Sequence, residues 1–505
     1  MGQSRIANAM KNVVFGLAGK GLLIVLEFVA RAAFIQFLGE ELLGINGVFT
    51  NVIQILSLAE LGMNNVVNFS FYKPIAEKDN DKICRLVTFY RKVYNLIALV
   101  VLIIGLVIIP FLDLFINTSV PVDNIVVIYL VFLADTVFSY LFVYKGNLLR
   151  ADQRGYIITK YEMIGNIVRV ILQILSMYLF QSIIIYLVVK VVISILINAI
   201  SAKKAEKDYP YIKNAAVDLE ISEQKEILNT IKSGFIYKIS GVLLNSTDNI
   251  LISSIVGTIW VGYLANYNTI INGISSFYTV IFTSITASIG NLVVLEAKEK
   301  KLEIFQIMLV ISSWLGIVFS VCLYVLSGEF ISLWIGDKFI LDKAVVLAKV
   351  LMVYLSCSLQ PLFCYREALG LYRKTKYVML AAAIINIVLS IIMGLSFGVA
   401  GILFASIIAM LTTYLWYEPV LMYKECFEIS SKGYFIQRIG EIVCVLAAIV
   451  VLDMLSSYFV ATTWLTWIIK AAIVFIILNI YCFILFRKSK GLTYVLNKVK
   501  EKLKA

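Results

Sequence analysis

The sequence predicts an all-α polytopic membrane protein with about fourteen transmembrane helices, built as two pseudo-symmetric six-helix lobes followed by two further helices. Three observations carry that prediction. Of 505 residues, 61% are hydrophobic and 15% charged, with a mean hydropathy of +0.92, whereas soluble chains run near half apolar and a quarter charged. Apolar runs of roughly 20 residues, the length that crosses a bilayer, recur along the whole chain. The links between them alternate between two charge classes.

The runs fall at 12–38, 42–70, 88–112, 124–149, 157–180, 183–202, 233–256, 261–293, 304–328, 342–367, 377–396, 399–420, 439–458 and 464–486. One set of links is rich in Lys and Arg: 73–85, 150–156, 203–226, 296–303, 371–376, 424–438 and the tail from Arg487. In the other set (39–41, 113–123, 181–182, 257–260, 329–343 and 456–463) the only basic residues are Lys338 and Lys343. Basic loops mark the cytoplasmic side, so both termini are expected in the cytoplasm. The first apolar run is too long and too charged for a cleavable signal. In the tail, Leu492, Val495, Val499 and Leu503 recur at helical spacing among lysines, the pattern of a basic amphipathic helix on an anionic membrane surface.

The chain also repeats itself. Gly39 and Gly44 match Gly257 and Gly262; PFLDLFI at 110–116 matches EFISLWI at 329–335; Tyr144 matches Tyr365; and Asn166-Ile167-Val168 matches Asn386-Ile387-Val388. These offsets drift by only three residues, from 218 to 221. With six spans each, the halves insert the same way up, which makes them parallel repeats with a substrate site between them. The expected layout is a first lobe over 1–202, a cytoplasmic inter-lobe loop over 203–232 and a second lobe over 233–428. Two additional helices over 429–486 and a basic tail over 487–505 complete it.

Polar residues concentrate on spans 1, 2, 7 and 8. Span 1 carries Lys20, Glu27 and Arg31; at 100° per residue Glu27 and Arg31 each fall within about 20° of Lys20 around a helix. A Lys or Arg at mid-membrane costs roughly 2.5–3.5 kcal/mol on insertion scales, so this face is expected to line an aqueous or ligand-filled cavity. Span 2 adds Asn51, Gln54 and Glu60; span 7 adds Lys238, Asn245 and Asp248; span 8 adds Asn266, Asn268 and Asn272. The competing reading is that such residues tie helices together by hydrogen bonds. For Asp135, Lys145, Arg169, Lys190, Lys349, Glu441, Asp453 and Lys470, snorkelling or structural pairing is the expectation.

Several chemistries are excluded. With no histidine in the chain, His-based acid–base catalysis, His metal ligation and His proton switching are ruled out. The seven cysteines are scattered and none forms a CxxC; they read as small hydrophobes. GLAGKG at 16–21 lacks the spacing of a phosphate-binding loop. No catalytic residues, metal site or cofactor are expected, and the protein is not expected to be an enzyme.

The chain resembles the polysaccharide flippases, the Wzx-type branch of the multidrug/oligosaccharidyl-lipid/polysaccharide exporter superfamily. The residues that carry the resemblance are the LG-x4-G junction after span 1, LLRADQRGYIITK after span 4, NSTDNILISSIVGTIWVGYLANYN across spans 7 and 8, ISLWIGDKF before span 10, and NIVLSIIMGLSFGVAGILFASIIA in spans 11 and 12. The resemblance implies a flippase that moves an undecaprenyl-diphosphate-linked oligosaccharide across the bacterial cytoplasmic membrane by alternating access, for surface polysaccharide synthesis. It places Lys20, Arg31 and Lys238 on the diphosphate and Asn51, Gln54, Asn245, Asn266, Asn268 and Asn272 against the sugars. Glu27, Glu60 and Asp248 become candidates for charge balance or for H⁺ or Na⁺ coupling. Expected partners are the lipid-linked substrate, membrane lipids, a polysaccharide polymerase and glycosyltransferases, but no nucleic acid, and the protein is expected to be a monomer. Two alternatives remain: a multidrug/cation antiporter of the same superfamily, and a membrane glycan-assembly enzyme.

Overall fold

The computed structural model describes residues 21, 23–57, 63–118, 122, 124–152, 154–212, 218–489 and 491–494, which contain helices and links but no strand. The helices are α1 (23–38), α2 (Glu40–Leu56), α3 (Met63–Glu77), α4 (Asn80–Ile108), α5 (Leu112–Phe115), α6 (Ile125–Ala151), α7 (Gly155–Phe180), α8 (Ile183–Asp208) and α9 (Ile221–Ile255). They continue as α10 (Thr258–Leu295), α11 (Lys298–Ile335), α12 (Lys343–Ser358), α13 (Gln360–Leu369), α14 (Tyr372–Thr412), α15 (Tyr414–Met422), α16 (Lys432–Ser456) and α17 (Trp464–Phe486). Contacts divide the chain into two compact units, Met1–Gly262 and Tyr263–Ala505.

The all-helical membrane fold is observed. Eight of the described helical stretches are long and apolar enough to cross a membrane, and the bent pair α12–α13 makes a ninth. One of the eight, 374–427, holds two spans. Asn386 Nδ2 donates to Ser406 Oγ at 2.7 Å, although a straight helix would hold residues 20 positions apart about 30 Å from each other. The chain therefore doubles back at Gly398, where φ is +58°. The remaining sequence-derived spans correspond to α1, to α2 with α3, to α9 and to α10. Outward-facing apolar surface is broad on α4 and α17, where Ile103, Val107, Ile468 and Ile476 are exposed, as a lipid environment requires.

Three elements differ from the sequence reading. The apolar run 42–70 has a helix end within it: α2 ends at Leu56 with Ser57 as its C-cap, and α3 is described from Met63. Span 342–367 is bent by 41° between α12 and α13, with Pro361 opening the second segment, since proline has no N–H to give the preceding turn. Most of the described part of 203–232 is helical rather than loop. With 35 residues, α9 is about 52 Å long and outruns a hydrocarbon core of roughly 30 Å. Its first turn is held against α4: Lys82 pairs with Glu223, and Lys92 Nζ lies 2.6 Å from Asp218 Oδ1. Most of the tail falls outside the described residues, where Leu492 alone of its apolar positions is placed; it is buried.

The repeat is visible as geometry within each half. Gly39 and Gly257, matched in sequence, both adopt positive φ (+88° and +139°) at the turn into the next helix, a conformation glycine reaches without strain. Gln181 and Gly398, 217 positions apart, both take positive φ where a helix pair reverses. Tyr144 and Tyr365 are each followed by a base paired to a Glu from a later helix: Lys145 to Glu206 at 2.5 Å in the first unit, Arg366 to Glu418 at 2.7 Å in the second.

The two LG-x4-G-type junctions also meet inside the first unit. A Cβ on Gly44 would lie 2.1 Å from the Thr258 carbonyl oxygen, and one on Gly262 would lie 2.8 Å from the Glu40 carbonyl oxygen. Beside this backbone contact, Thr258 N–H donates to Asn117 O (2.8 Å) and Asn117 N–H donates to Thr258 Oγ1 (2.9 Å). Thr258 Oγ1 also shares a hydrogen with Ser253 Oγ at 2.7 Å. We refer to this contact as the glycine junction.

In the second unit, α16 and α17 are fastened to the preceding helices by polar pairs, buried around Glu441 and exposed at Lys343. The Arg438 guanidinium donates to Ser313 Oγ (2.7 Å) and to Glu441 Oε1 (3.0 Å). Glu441 Oε2 accepts from Ser313 (2.9 Å) and from Tyr354 Oη (3.1 Å). Lys470 Nζ donates to Glu329 Oε1 at 2.6 Å, Trp314 Nε1 to Asn479 Oδ1 at 2.9 Å, and Lys343 Nζ to Asp453 Oδ2 at 2.7 Å. Structural pairing thus accounts for Glu441, Asp453 and Lys470, and equally for Asp135 with Lys190 at 3.2 Å in the first unit.

Candidate functional site

In the first unit the polar face of span 1 survives in part as geometry. Lys20 and Glu60 lie outside the described residues. Glu27 is exposed on α1 and Arg31, one turn on, is partly buried, with Glu27 and the Tyr186 side chain both within electrostatic reach of its guanidinium. What places Tyr186 there is packing between three helices. Its ring meets Phe34 of α1 edge-on, with centroids 5.1 Å apart, and its carbonyl accepts from Gln173 Nε2 of α7 at 3.2 Å. Four residues before Gln173, on the same face of α7, stands Arg169, also within electrostatic reach of Tyr186. The Arg169 Nε is buried and has no hydrogen-bond partner among the described residues.

The other expected lining residues of this unit divide. Asn51 Nδ2 donates to the Gly47 carbonyl of its own helix (2.7 Å), the local arrangement by which Asn, Ser and Thr satisfy themselves in a helix. Gln54 is exposed, and Asp248 is buried on α9. Lys238 and Asn245 belong to α9, but their side chains are outside what is described.

In the second unit, Asn268 Oδ1 accepts from Lys349 Nζ of α12 at 3.2 Å. Asn272 is exposed. Asn266 is fully enclosed, and neither of its amide atoms has a hydrogen-bond partner among the described residues; an unmet buried amide group costs about 1–3 kcal/mol. Among the described residues no group of three Cys, Asp or Glu side chains is placed to hold a metal ion.

The structure sets Tyr186 near Arg31 and Lys349 against Asn268, neighbours that the sequence did not assign to them. Arg169 and Lys349 were visible as charges within spans, yet nothing in their spacing tied them to α1 or α10. Tyr186 carried no signal at all among 28 tyrosines. Among the described residues, the Arg31 and Arg169 guanidinium groups both lie within electrostatic reach of the Tyr186 phenol, and Glu27 within reach of Arg31. Guanidinium groups bind phosphate oxygens through paired, charge-assisted hydrogen bonds.

Neither a protein-family model nor a curated protein sequence matches the chain. Solved structures do. The lipid II flippase MurJ in an inward closed conformation superposes with a TM-score of 0.66 at 16% identity, covering 94% of this chain and 99% of that one. An inward-facing multidrug-resistance MATE family transporter of the MOP superfamily gives 0.58 at 14% identity, over 78% of this chain and 93% of its own. The Vibrio cholerae MATE transporter VcmN gives 0.55 at 16% identity, over 85% and 100%. The chain shares the fold of these membrane transporters.

Proposed function

We propose that this protein is a flippase that moves an undecaprenyl-diphosphate-linked oligosaccharide across the bacterial cytoplasmic membrane by alternating access, supplying surface polysaccharide synthesis. The observation that carries the reading is the pair of guanidinium groups, Arg31 and Arg169, that both lie within electrostatic reach of Tyr186 inside apolar spans. Inside a membrane two guanidinium groups persist where they meet an anion or water, and a diphosphate is the anion that a lipid-linked glycan brings. Lys20 and Lys238 belong to the same reading, with Asn51, Gln54, Asn245, Asn266, Asn268 and Asn272 serving sugar hydroxyls. Glu27, Glu60 and Asp248 would balance charge when the site is empty or couple transport to H⁺ or Na⁺. The full-length likeness to MurJ, described as a lipid II flippase, supports this reading. Both termini face the cytoplasm in it, and glycosyltransferases and a polymerase would act before and after the step.

The test is translocation of a fluorescent lipid-linked glycan in vesicles reconstituted with the purified chain, with one ion gradient dissipated at a time. Arg31→Ala and Lys20→Ala are expected to abolish movement; wild-type rates in both would overturn the cationic-site reading. A multidrug/cation antiporter is the second reading, favoured by the likeness to MATE transporters and by Glu27 and Asp248. It predicts drug sensitivity, rather than loss of surface glycan, when the gene is deleted.

A further inference from the structure

The second unit carries a groove that transport of a glycan does not call for. It lies where the chain leaves helical geometry between α14 and α15. Thr413 has φ −126° and ψ −103°, and Pro419, inside α15, has no N–H to give the Leu415 carbonyl. Around this bend, Leu411, Leu415 and Trp416 form one wall and Phe435, Ile439 and Ile442 of α16 the other, enclosing a cavity of about 210 Å³. Leu411, Trp416 and Ile439 are exposed, so the groove opens outward, to lipid. Buried Tyr354 of α12, fixed by its hydrogen bond to Glu441, lines its inner side.

We infer that this groove holds one acyl chain of an anionic phospholipid of the cytoplasmic leaflet, with the lipid's phosphate at Lys432 and an ester carbonyl at Arg438. Size is the first argument. Sites for drug-sized molecules run roughly 300–1,000 Å³, so about 210 Å³ between apolar walls suits a stretch of a single hydrocarbon chain. Charge is the second. Lys432 stands within about 20° of Ile439 around α16, at the end of the helix next to the basic link. It is exposed, and the carboxylates of that link are already held elsewhere, Glu425 by Lys374 and Glu428 by Lys298. The third is an unmet donor. Arg438, six residues along α16 and so about 9 Å deeper, is buried and lines the groove. Its terminal nitrogens donate to Ser313 and Glu441, but its Nε has no acceptor among the described residues. Because Glu441 already balances the guanidinium, the partner it lacks is a neutral oxygen. The interfacial layer of a bilayer is roughly 5–8 Å thick on each side, so this depth is where phospholipid ester carbonyls give way to chains. Trp416 donates its Nε1 to the Thr412 carbonyl at 2.9 Å, which leaves its ring as an apolar wall at the level where tryptophans gather. On the orientation given by the basic loops, the groove lies in the cytoplasmic half, whose leaflet carries the anionic lipids. The site belongs to the second unit alone and does not depend on what the protein transports.

The test is native mass spectrometry of the purified full chain released from nanodiscs of phosphatidylcholine and phosphatidylglycerol in equal amounts. One phosphatidylglycerol per chain is expected to persist after the phosphatidylcholine has been stripped. Ile439→Trp, at an exposed position on the groove wall, should lose that lipid. Lys432→Gln should weaken its retention about fivefold, the contribution of one lysine near a charged membrane surface. Val450→Trp, similarly exposed on α16 but eleven residues and about 16 Å further along, should keep it. If Ile439→Trp does not fold, Lys432→Gln decides, since its side chain is exposed. A wild type that keeps no phosphatidylglycerol overturns the site, as does wild-type retention in both groove variants. Equal retention of the two phospholipids overturns the anionic assignment. Displacement of phosphatidylglycerol by a polyprenyl monophosphate doped into the disc would give the groove to an isoprenoid lipid, and overturns the inference as well.

Discussion

Gly44→Ala offers a direct test of the glycine junction. The added Cβ would stand 2.1 Å from the Thr258 carbonyl oxygen, whereas carbon–oxygen contacts settle near 3.3 Å, so α2 and the start of α10 must separate there by roughly 1.2 Å. The obstacle is backbone and cannot rotate away. Overpacking of this kind costs about 1–3 kcal/mol. The reciprocal Asn117–Thr258 hydrogen bonds beside it, at 2.8 and 2.9 Å, are worth about 1 kcal/mol each and weaken as the gap opens. A total near 2–4 kcal/mol converts to a shift of roughly 30- to 700-fold toward the parted state. Hydrogen exchange at the Thr258 amide reads this directly, because that N–H is the donor to Asn117, and it is expected to exchange faster by that factor. Gly47→Ala is the control: its Cβ would meet only the Val261 Cγ1 at 2.8 Å, a side-chain end that can turn, so exchange should change severalfold at most. An unchanged Thr258 amide in Gly44→Ala would refute the reasoning. Equal acceleration of every core amide would do so as well, since that signals global loosening.

Three further outcomes are expected. Glu441→Gln removes the carboxylate that Arg438, Tyr354 and Ser313 share and should cost about 3–5 kcal/mol, read as a lower midpoint of thermal unfolding in detergent; an unshifted midpoint would mean the buried pair contributes nothing. Gly398→Ala forces a side chain into a positive-φ conformation (φ +58°, ψ −139°) at the reversal of α14 and should cost about 1–3 kcal/mol, while Ser396→Ala two residues earlier is near neutral by the same measurement. Lys470→Met strands Glu329 and should destabilise strongly, whereas Lys470→Met with Glu329→Gln should recover most of the loss; a double variant no better than the single would argue against a direct pair.

The sequence made legible whatever composition and period encode. Span positions follow from runs of apolar residues, and the repeat from glycines and tyrosines whose roles recur: Gly39 and Gly257 share a turn, and Tyr144 and Tyr365 precede equivalent ion pairs. The break after Leu56 and the helical start of α9 were hidden because hydropathy reports burial in lipid, not helix ends. The reversal at Gly398 was readable as a boundary between two apolar runs. Side-chain company was the harder matter. Asn51 looks like a cavity group in sequence yet satisfies itself on Gly47, a choice made by rotamer and invisible to spacing. Tyr186 joins Arg31 only because α8 packs against α1 through Phe34, a meeting of residues 155 positions apart.

The Lys470–Glu329 pair has a consequence for how the protein is made. The two residues are separated by 141 positions, so Glu329 emerges from the ribosome long before its partner exists. At 5–20 residues per second the wait is roughly 7–28 s. Through that interval a carboxylate sits near the end of a newly inserted span, unpaid by any lysine and disfavoured by the lipid around it. The second unit therefore lacks this pair until α17 is synthesised. A chain halted before α17 would hold α11 insecurely in the bilayer and present it to quality-control proteases.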